Sequence, residues 1–339
     1  MVVTFLLLVL LGGMFMRGFR EVIGLAVVIV GFYVLLNLIV MINGLVYLAE
    51  HSVLLDQWMS QVRSGDWHLA DRDHLPSGTS MLTILVVSVL IFPKLALGMS
   101  GFETGVAVMP LIKGDPTDSA AEPAGRIRNT RKLLVTAALI MSFFLLVSSF
   151  LVCTLIPPDA FLRTAADAPD KLYARDRALA YLAHGDGPHK IFLSGEWLGT
   201  AYDLSTVVIL WFAGASAMAG LINLMPQSLP RYGMAPEWAR AVRPLVLLLT
   251  AINLLVTWAF DASVSAQGGA YATGVLVLFV SASLACIFER WREKPDVAGW
   301  RRKLSWYFLG VLLVFIYTLI DVVIEKPEGI KIASCFIGV

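Results

Sequence analysis

Two charged residues, Lys94 and Glu103, lie inside an apolar run that extends from Met81 to Ile112. A charge at mid-membrane costs at least about 2.5–3.5 kcal/mol on insertion scales, so it lines a cavity or finds a partner. Around these two the sequence reads Pro93-Lys94, then Gly98-Met99-Ser100-Gly101-Phe102-Glu103-Thr104-Gly105. Each glycine weakens a helix by about 1 kcal/mol relative to alanine and lets another group approach the backbone. The run's 32 residues would make a helix of about 48 Å, against a hydrocarbon thickness of about 30 Å. This predicts a helix broken within 98–105. At such a break, freed carbonyls hold cations or ammonium groups and half-helix N-termini face anions. Gly101 and Gly105, four residues apart, also fit a small-residue helix contact. The two charges do not.

The rest of the chain must hold that segment in a bilayer. Of its 339 residues, 58% are apolar and 15% charged, with a mean hydropathy of +0.77. That excludes a disordered chain and argues against a soluble enzyme. Apolar runs fall at about 2–16, 21–48, 80–112, 133–156, 199–225, 244–260, 269–289 and 304–324, and predict an all-α polytopic membrane protein of about eight spans. The first run is short, has no basic residue before it, and is followed by Arg17 and Arg20. That fits a span that starts from outside or a chain whose earlier part is missing.

Charge between the runs sets the expected orientation. The short loops 17–20, 113–132, 226–243 and 289–303 hold 16 Lys and Arg; the alternate set 49–79, 157–197, 260–268 and 325–339 holds nine. The first set is expected in the cytoplasm, with 49–79 and 157–197 as external loops. The basic block Glu289 to Lys303 carries Trp291 and Trp300, which reads as an interfacial anchor rather than a nucleic-acid surface. All five histidines, His51, His68, His74, His184 and His189, fall in the external loops with irregular spacing. They read as solvated side chains rather than zinc ligands. Pro169 to His184 is expected to form a short surface helix with Leu172, Leu179 and Leu182 on one face. Cys153, Cys286 and Cys335 have no metal or redox spacing and read as inert thiols.

Several of these stretches, in this order, resemble amino acid–polyamine–organocation permeases. Gly98 to Gly105, followed by Lys113-Gly114-Asp115-Pro116, looks like that family's sixth helix, with its G-x-E stretch at an unwound middle, and the turn into the seventh. Asp115-Pro116 comes one residue late, and Thr117 to Gly125 is an insertion. Leu229-Pro230-Arg231-Tyr232-Gly233-Met234-Ala235-Pro236 resembles the cytoplasmic segment after the eighth helix, with Tyr232 where an acid is usual. Gly268-Gly269-Ala270-Tyr271-Ala272-Thr273-Gly274 resembles the start of the tenth helix, and also a segment of potassium-uptake permeases. Arg17-Gly18-Phe19-Arg20 looks like the turn between helices four and five. The likeness lies in the ordered set rather than in any one motif, and it covers essentially the whole chain.

The resemblance implies a partial inverted-repeat transporter fold of the LeuT type, truncated to helices four to eleven with the start of a twelfth at Ile330 to Val339. It implies secondary transport of amino acids or related small organic solutes across the cytoplasmic membrane. Gly98, Ser100, Gly101, Phe102, Glu103, Thr104 and Gly105 would contact the substrate, and Lys94, Glu103, Ser216 and Tyr271 would gate or couple. Phe102 equally fits a core aromatic, Tyr271 an interfacial tyrosine and Ser216 small-residue packing. Leu97 stands where many members carry an aromatic lid, and the span 21–48 has Asn37 and Asn43 but no lysine. Coupling to protons, to sodium or to exchange stays open, and no cofactor is expected. Without a first helix, this polypeptide alone is expected not to transport. The alternatives are a transport-dead membrane remnant with a structural or interaction role, and a potassium-uptake permease. No H-E-x-x-H or G-x-S-x-G motif occurs in the spans, so an enzyme is not expected.

Overall fold

The computed structural model of the chain describes residues 1–17, 23–65, 79–93, 95, 109, 112–116, 118–119, 123–162, 173–228, 241–292, 300–325, 327 and 330. Every regular element among them is helical. In chain order they are α1 (Val2–Arg17), α2 (Ile23–Glu50), α3 (Ser52–Ser64), α4 (Met81–Ile91), α5 (Ala124–Leu155), α6 (Asp159–Leu162), α7 (Ala178–His184), α8 (Glu196–Ser228), α9 (Val242–Ala259), α10 (Val264–Arg292) and α11 (Trp300–Glu325). Six of these, α2, α5, α8, α9, α10 and α11, are long and apolar enough to cross a bilayer. The chain is an integral, multi-pass membrane protein. Two further apolar helices, α1 and α4, are shorter, so the eight expected spans appear as six full-length helices and two short ones.

The described residues fall into two compact units. The larger spans Leu11–Ile84 and Ala107–Val246. Its core joins Leu36, Val40 and Met41 of α2, Leu151 and Leu155 of α5, Tyr181 and Leu182 of α7, and Leu198 and Tyr202 of α8. Gly44 makes the closest approach between α2 and α5: a Cβ there would meet the Leu151 side chain at 2.9 Å. Both residues lie near the C-terminal ends of their helices, so α2 and α5 run parallel. The smaller unit spans Met1–Leu10, Leu85–Val106 and Leu247–Val339. Here α10 and α11 pack together through Ala272, Leu276 and Val322, with Phe279 and Phe315 rings 5.2 Å apart.

Local chemistry sets the helix ends. α3 stops at Gly65, whose φ of 75° suits a residue without a Cβ and whose N–H returns to the Gln61 carbonyl. α5 stops at Ile156, in extended backbone before Pro157 and Pro158. It begins at Ala124, well before the apolar run at 133, because Arg126, Arg128, Arg131 and Lys132 are sound helix formers outside the bilayer.

One expectation is corrected and one is extended. The helix predicted from Pro169 begins only at Ala178 among the described residues, since Asp176 adopts a φ of 61° that interrupts any helix there. Within α7, Ala180, Tyr181, Leu182 and Ala183 are all buried. The loop 49–79, expected only as an external loop, contains α3. Its Leu54, Leu55, Trp58 and Val62, at positions i, i+1, i+4 and i+8, are the half-buried residues that signal it.

Candidate functional site

The run Met81 to Ile112 is α-helical from Met81 to Ile91. A 3₁₀ turn follows at Phe92 and Pro93. Pro93 is fully buried. Having no N–H, it cannot donate to the carbonyl four residues back, at Val89. The Tyr317 hydroxyl of α11 donates to that carbonyl instead, at 3.1 Å. At 11 residues, α4 rises about 16 Å, roughly half of the hydrocarbon layer. Met109 and Ile112 form a tight turn through the Ile112 N–H and the Met109 carbonyl. Helix was expected up to Ile112 on the far side of the break, and neither residue is α-helical. Lys94, Gly98, Ser100, Gly101, Phe102, Glu103, Thr104 and Gly105 lie outside the described residues.

The other two expected site residues are on long helices. Ser216 is exposed on α8, and its hydroxyl donates to the Ala213 carbonyl of its own helix at 2.8 Å. Tyr271 is half-buried on α10, followed by the buried Ala272 and Thr273. Sequence reasoning did not foresee the polar pair between α2 and α8. The Tyr202 hydroxyl donates to Asn37 Oδ1 at 3.0 Å, both residues being buried. Asn37 Nδ2 donates to the Tyr33 carbonyl at 2.8 Å, and the Tyr33 and Tyr202 rings are 6.1 Å apart. The signal available was Asn37 itself, one of two amides, with Asn43, in a largely apolar span.

Beyond the ends of α2 and α5 sits a cap built from residues 157–162 and 173–195. Of the five histidines expected to be solvated, His51 is exposed and His189 half-buried, His68 and His74 lie outside the described residues, and His184 departs from the expectation. His184, at the end of α7, is 9% exposed, and its Nε2 lies 2.9 Å from Asp203 Oδ2 on α8. The imidazole rests directly on Gly199, where any Cβ would collide with it. His51 stacks on Tyr47 at 4.2 Å, and His189 lies 6.1 Å from the same tyrosine ring. Burial holds the His189 imidazole below the ordinary histidine range, and His51 nearby pushes in the same direction. Arg177 pairs with Asp186 at 3.3 Å. No three His, Cys, Asp or Glu side chains converge as metal ligands among the described residues.

At the opposite end of α5, the segment after Ile112 folds onto the helix start. Asp118 accepts from the N–H groups of Gly125 and Arg126, both at 2.8 Å, and from Asp115 at 3.2 Å. These bonds, that of Gly125 foremost, hold its carboxyl below the ordinary carboxylate range. Arg128 pairs with Asp115 at 2.7 Å, and Asn129 donates to the Lys113 carbonyl at 2.9 Å. Gly125 is needed here, because a Cβ would run into the backbone N of Asp115 at 2.7 Å. The clamp closes the reach expected to follow the broken helix.

No protein-family model matches the chain, and neither a curated protein nor a solved structure matches it.

Proposed function

We propose that this protein belongs to a permease of the amino acid–polyamine–organocation type, a carrier rather than an enzyme, moving amino acids or related small organic solutes across the cytoplasmic membrane. The observation that carries this reading is the short α4 between two parallel spans. Because α2 and α5 run in the same direction, the chain crosses the bilayer once between them. The apolar helix described in that interval is 11 residues long and ends at a buried proline. A crossing whose helix stops part-way is tolerated where it is buried in protein or lines a water-filled cavity, and the Gly98 to Gly105 run stands in the same interval.

In this reading the backbone around Ser100-Gly101-Phe102 meets the substrate's charged groups. Glu103 carries the coupling or gating charge, with Lys94 on the near side of the break. Tyr271 borders the path. Ser216 contributes less, since its hydroxyl bonds within its own helix. A carboxyl at such a break suits coupling to protons.

The test is uptake of labelled amino acids by cells expressing the protein, wild type against Glu103→Gln. Saturable uptake that falls about tenfold, or 1.4 kcal/mol, in the variant is expected. Rubidium uptake without amino acid uptake would transfer the assignment to potassium permeation. Loss of neither activity in Glu103→Gln would remove the carboxylate from the mechanism.

A further inference from the structure

Helix α3 is joined to α2 through a single residue, His51, whose φ of −118° and ψ of 58° end the α2 helix and redirect the chain. Its direction follows from its contacts. The Trp58 ring meets Phe150 edge-on with centroids 6.1 Å apart. Phe150 is adjacent to Leu151, the residue that Gly44 of α2 approaches. Trp58 therefore lies at about the level of Gly44, six residues and roughly 9 Å back from the end of α2. That contact keeps α3 against the bundle instead of projecting into water.

Apart from Val53, which lies 63% exposed among the polar residues, its residues divide around the axis. Leu54, Leu55, Trp58, Met59 and Val62 occupy one arc, while Asp56, Gln57, Ser60, Gln61, Arg63 and Ser64 occupy the other. The protein covers only part of the apolar arc. None of the 13 residues of α3 is buried, and Met59 remains 36% exposed. At about the same level α2 exposes Ile42, Leu45 and Val46, apolar side chains that face lipid in a membrane-spanning helix.

We propose that α3 is an interfacial helix, with lipid acyl chains at the headgroup boundary occupying the half of its apolar stripe that α2 and α5 leave uncovered. The opposite arc, carrying Asp56 and Arg63, faces the headgroups and water. A helix of this kind buries its apolar side about 5–10 Å into the boundary, which agrees with the level of Trp58, and tryptophan is itself enriched there.

Spin labels placed one at a time at Met59 and Ser60, in a version with Cys153, Cys286 and Cys335 changed to serine, test this in phosphatidylcholine–phosphatidylglycerol vesicles. Collisions with oxygen should outweigh those with a water-soluble nickel chelate at Met59, and the order should reverse at Ser60. Nickel dominance at both positions would place α3 in water and overturn the proposal. Low accessibility to both reagents at Met59 would show a protein occupant, such as a second copy, and would also overturn it. Should the cysteine-free version fail to fold, the native chain and Trp58→Phe are compared by fluorescence in vesicles with lipids brominated near the carbonyl end. A fractional quenching that drops in Trp58→Phe supports the interfacial placement, and an unchanged or larger fraction refutes it.

Discussion

The Tyr317 hydroxyl supplies, at 3.1 Å, the hydrogen bond that the Val89 carbonyl loses to Pro93. A helix that ends in apolar surroundings leaves its last carbonyls without donors, and each unmet group is costly there. The side chain of α11 thus repairs the backbone of α4 at the residue where the proline breaks it.

Tyr317→Phe should destabilise the protein by about 1 kcal/mol, in the range measured for hydrogen bonds between membrane helices. In a Pro93→Ala background the alanine N–H can serve Val89, and the same substitution should then cost close to nothing. Unfolding of the four variants in detergent measures the coupling. Equal losses in both backgrounds would mean that the hydroxyl acts elsewhere.

Gly199→Ala should dislodge His184, because the new methyl occupies the place of the imidazole. Overpacking of this kind costs about 1–3 kcal/mol. Asp203→Asn should cost less than about 1 kcal/mol, since Asp203 is 52% exposed and water screens the pair. Thermal unfolding ranks the two, and tryptic cleavage at Arg175, Arg177 and Lys190 should accelerate in Gly199→Ala. An alanine variant as stable as Asp203→Asn would show that the contact at Gly199 yields freely.

The cap should loosen in acid. Burial first and His51 second lower the folded-state pKa of His189, so the unfolded chain binds its proton more readily. Its packing is fully favourable above the ordinary histidine value of about 6.5 and weakens as pH falls below it, through the lowered pKa. Amide exchange across 185–195 should therefore rise between pH 7 and pH 5, and less so in His189→Gln. An identical rise in both proteins would assign the effect to another group.

Orientation can be read from two exposed positions at opposite ends of α5 and the cap. Phe192 is 87% exposed and the Arg128 side chain 61% exposed. In intact cells an impermeant maleimide should label Phe192→Cys and spare Arg128→Cys, as the excess of basic residues in 113–132 requires. The reverse pattern would invert the topology. His184 is unsuitable for this purpose, because it is packed between α7 and α8.

The long helices were legible because an apolar run of about 20 residues has few other uses. Their boundaries were less so. Charge marked the edge of the bilayer, but α5 continues through Arg126, Arg128 and Arg131 as helix in water. The short helix α3 escaped notice because its stripe is set in a polar frame of Gln57, Ser60, Gln61 and Arg63. The environment of His184 was out of reach for a different reason: it depends on Gly199 and Asp203, which only the docking of α7 on α8 brings to it. Lys94 and Glu103 stood out by type alone and lie outside the described residues, and Pro93 marks the place just beyond Ile91 where α4 stops. The bridge from Tyr317 joins residues more than 200 positions apart, and no local pattern announces it.

The Asp118 clamp has a mechanical meaning. Lys113, Asp115 and Asp118 are fastened to Gly125, Arg126, Arg128 and Asn129 by several short bonds, so these three residues are tied to the first turn of α5. A displacement arriving at Ile112 would reach the first turn of a 32-residue lever without being absorbed on the way. The amino end of that lever, a ready seat for an anion, already holds the chain's own carboxylate. Acid that protonates Asp118, below the ordinary carboxylate range, or its replacement by asparagine, would uncouple the two.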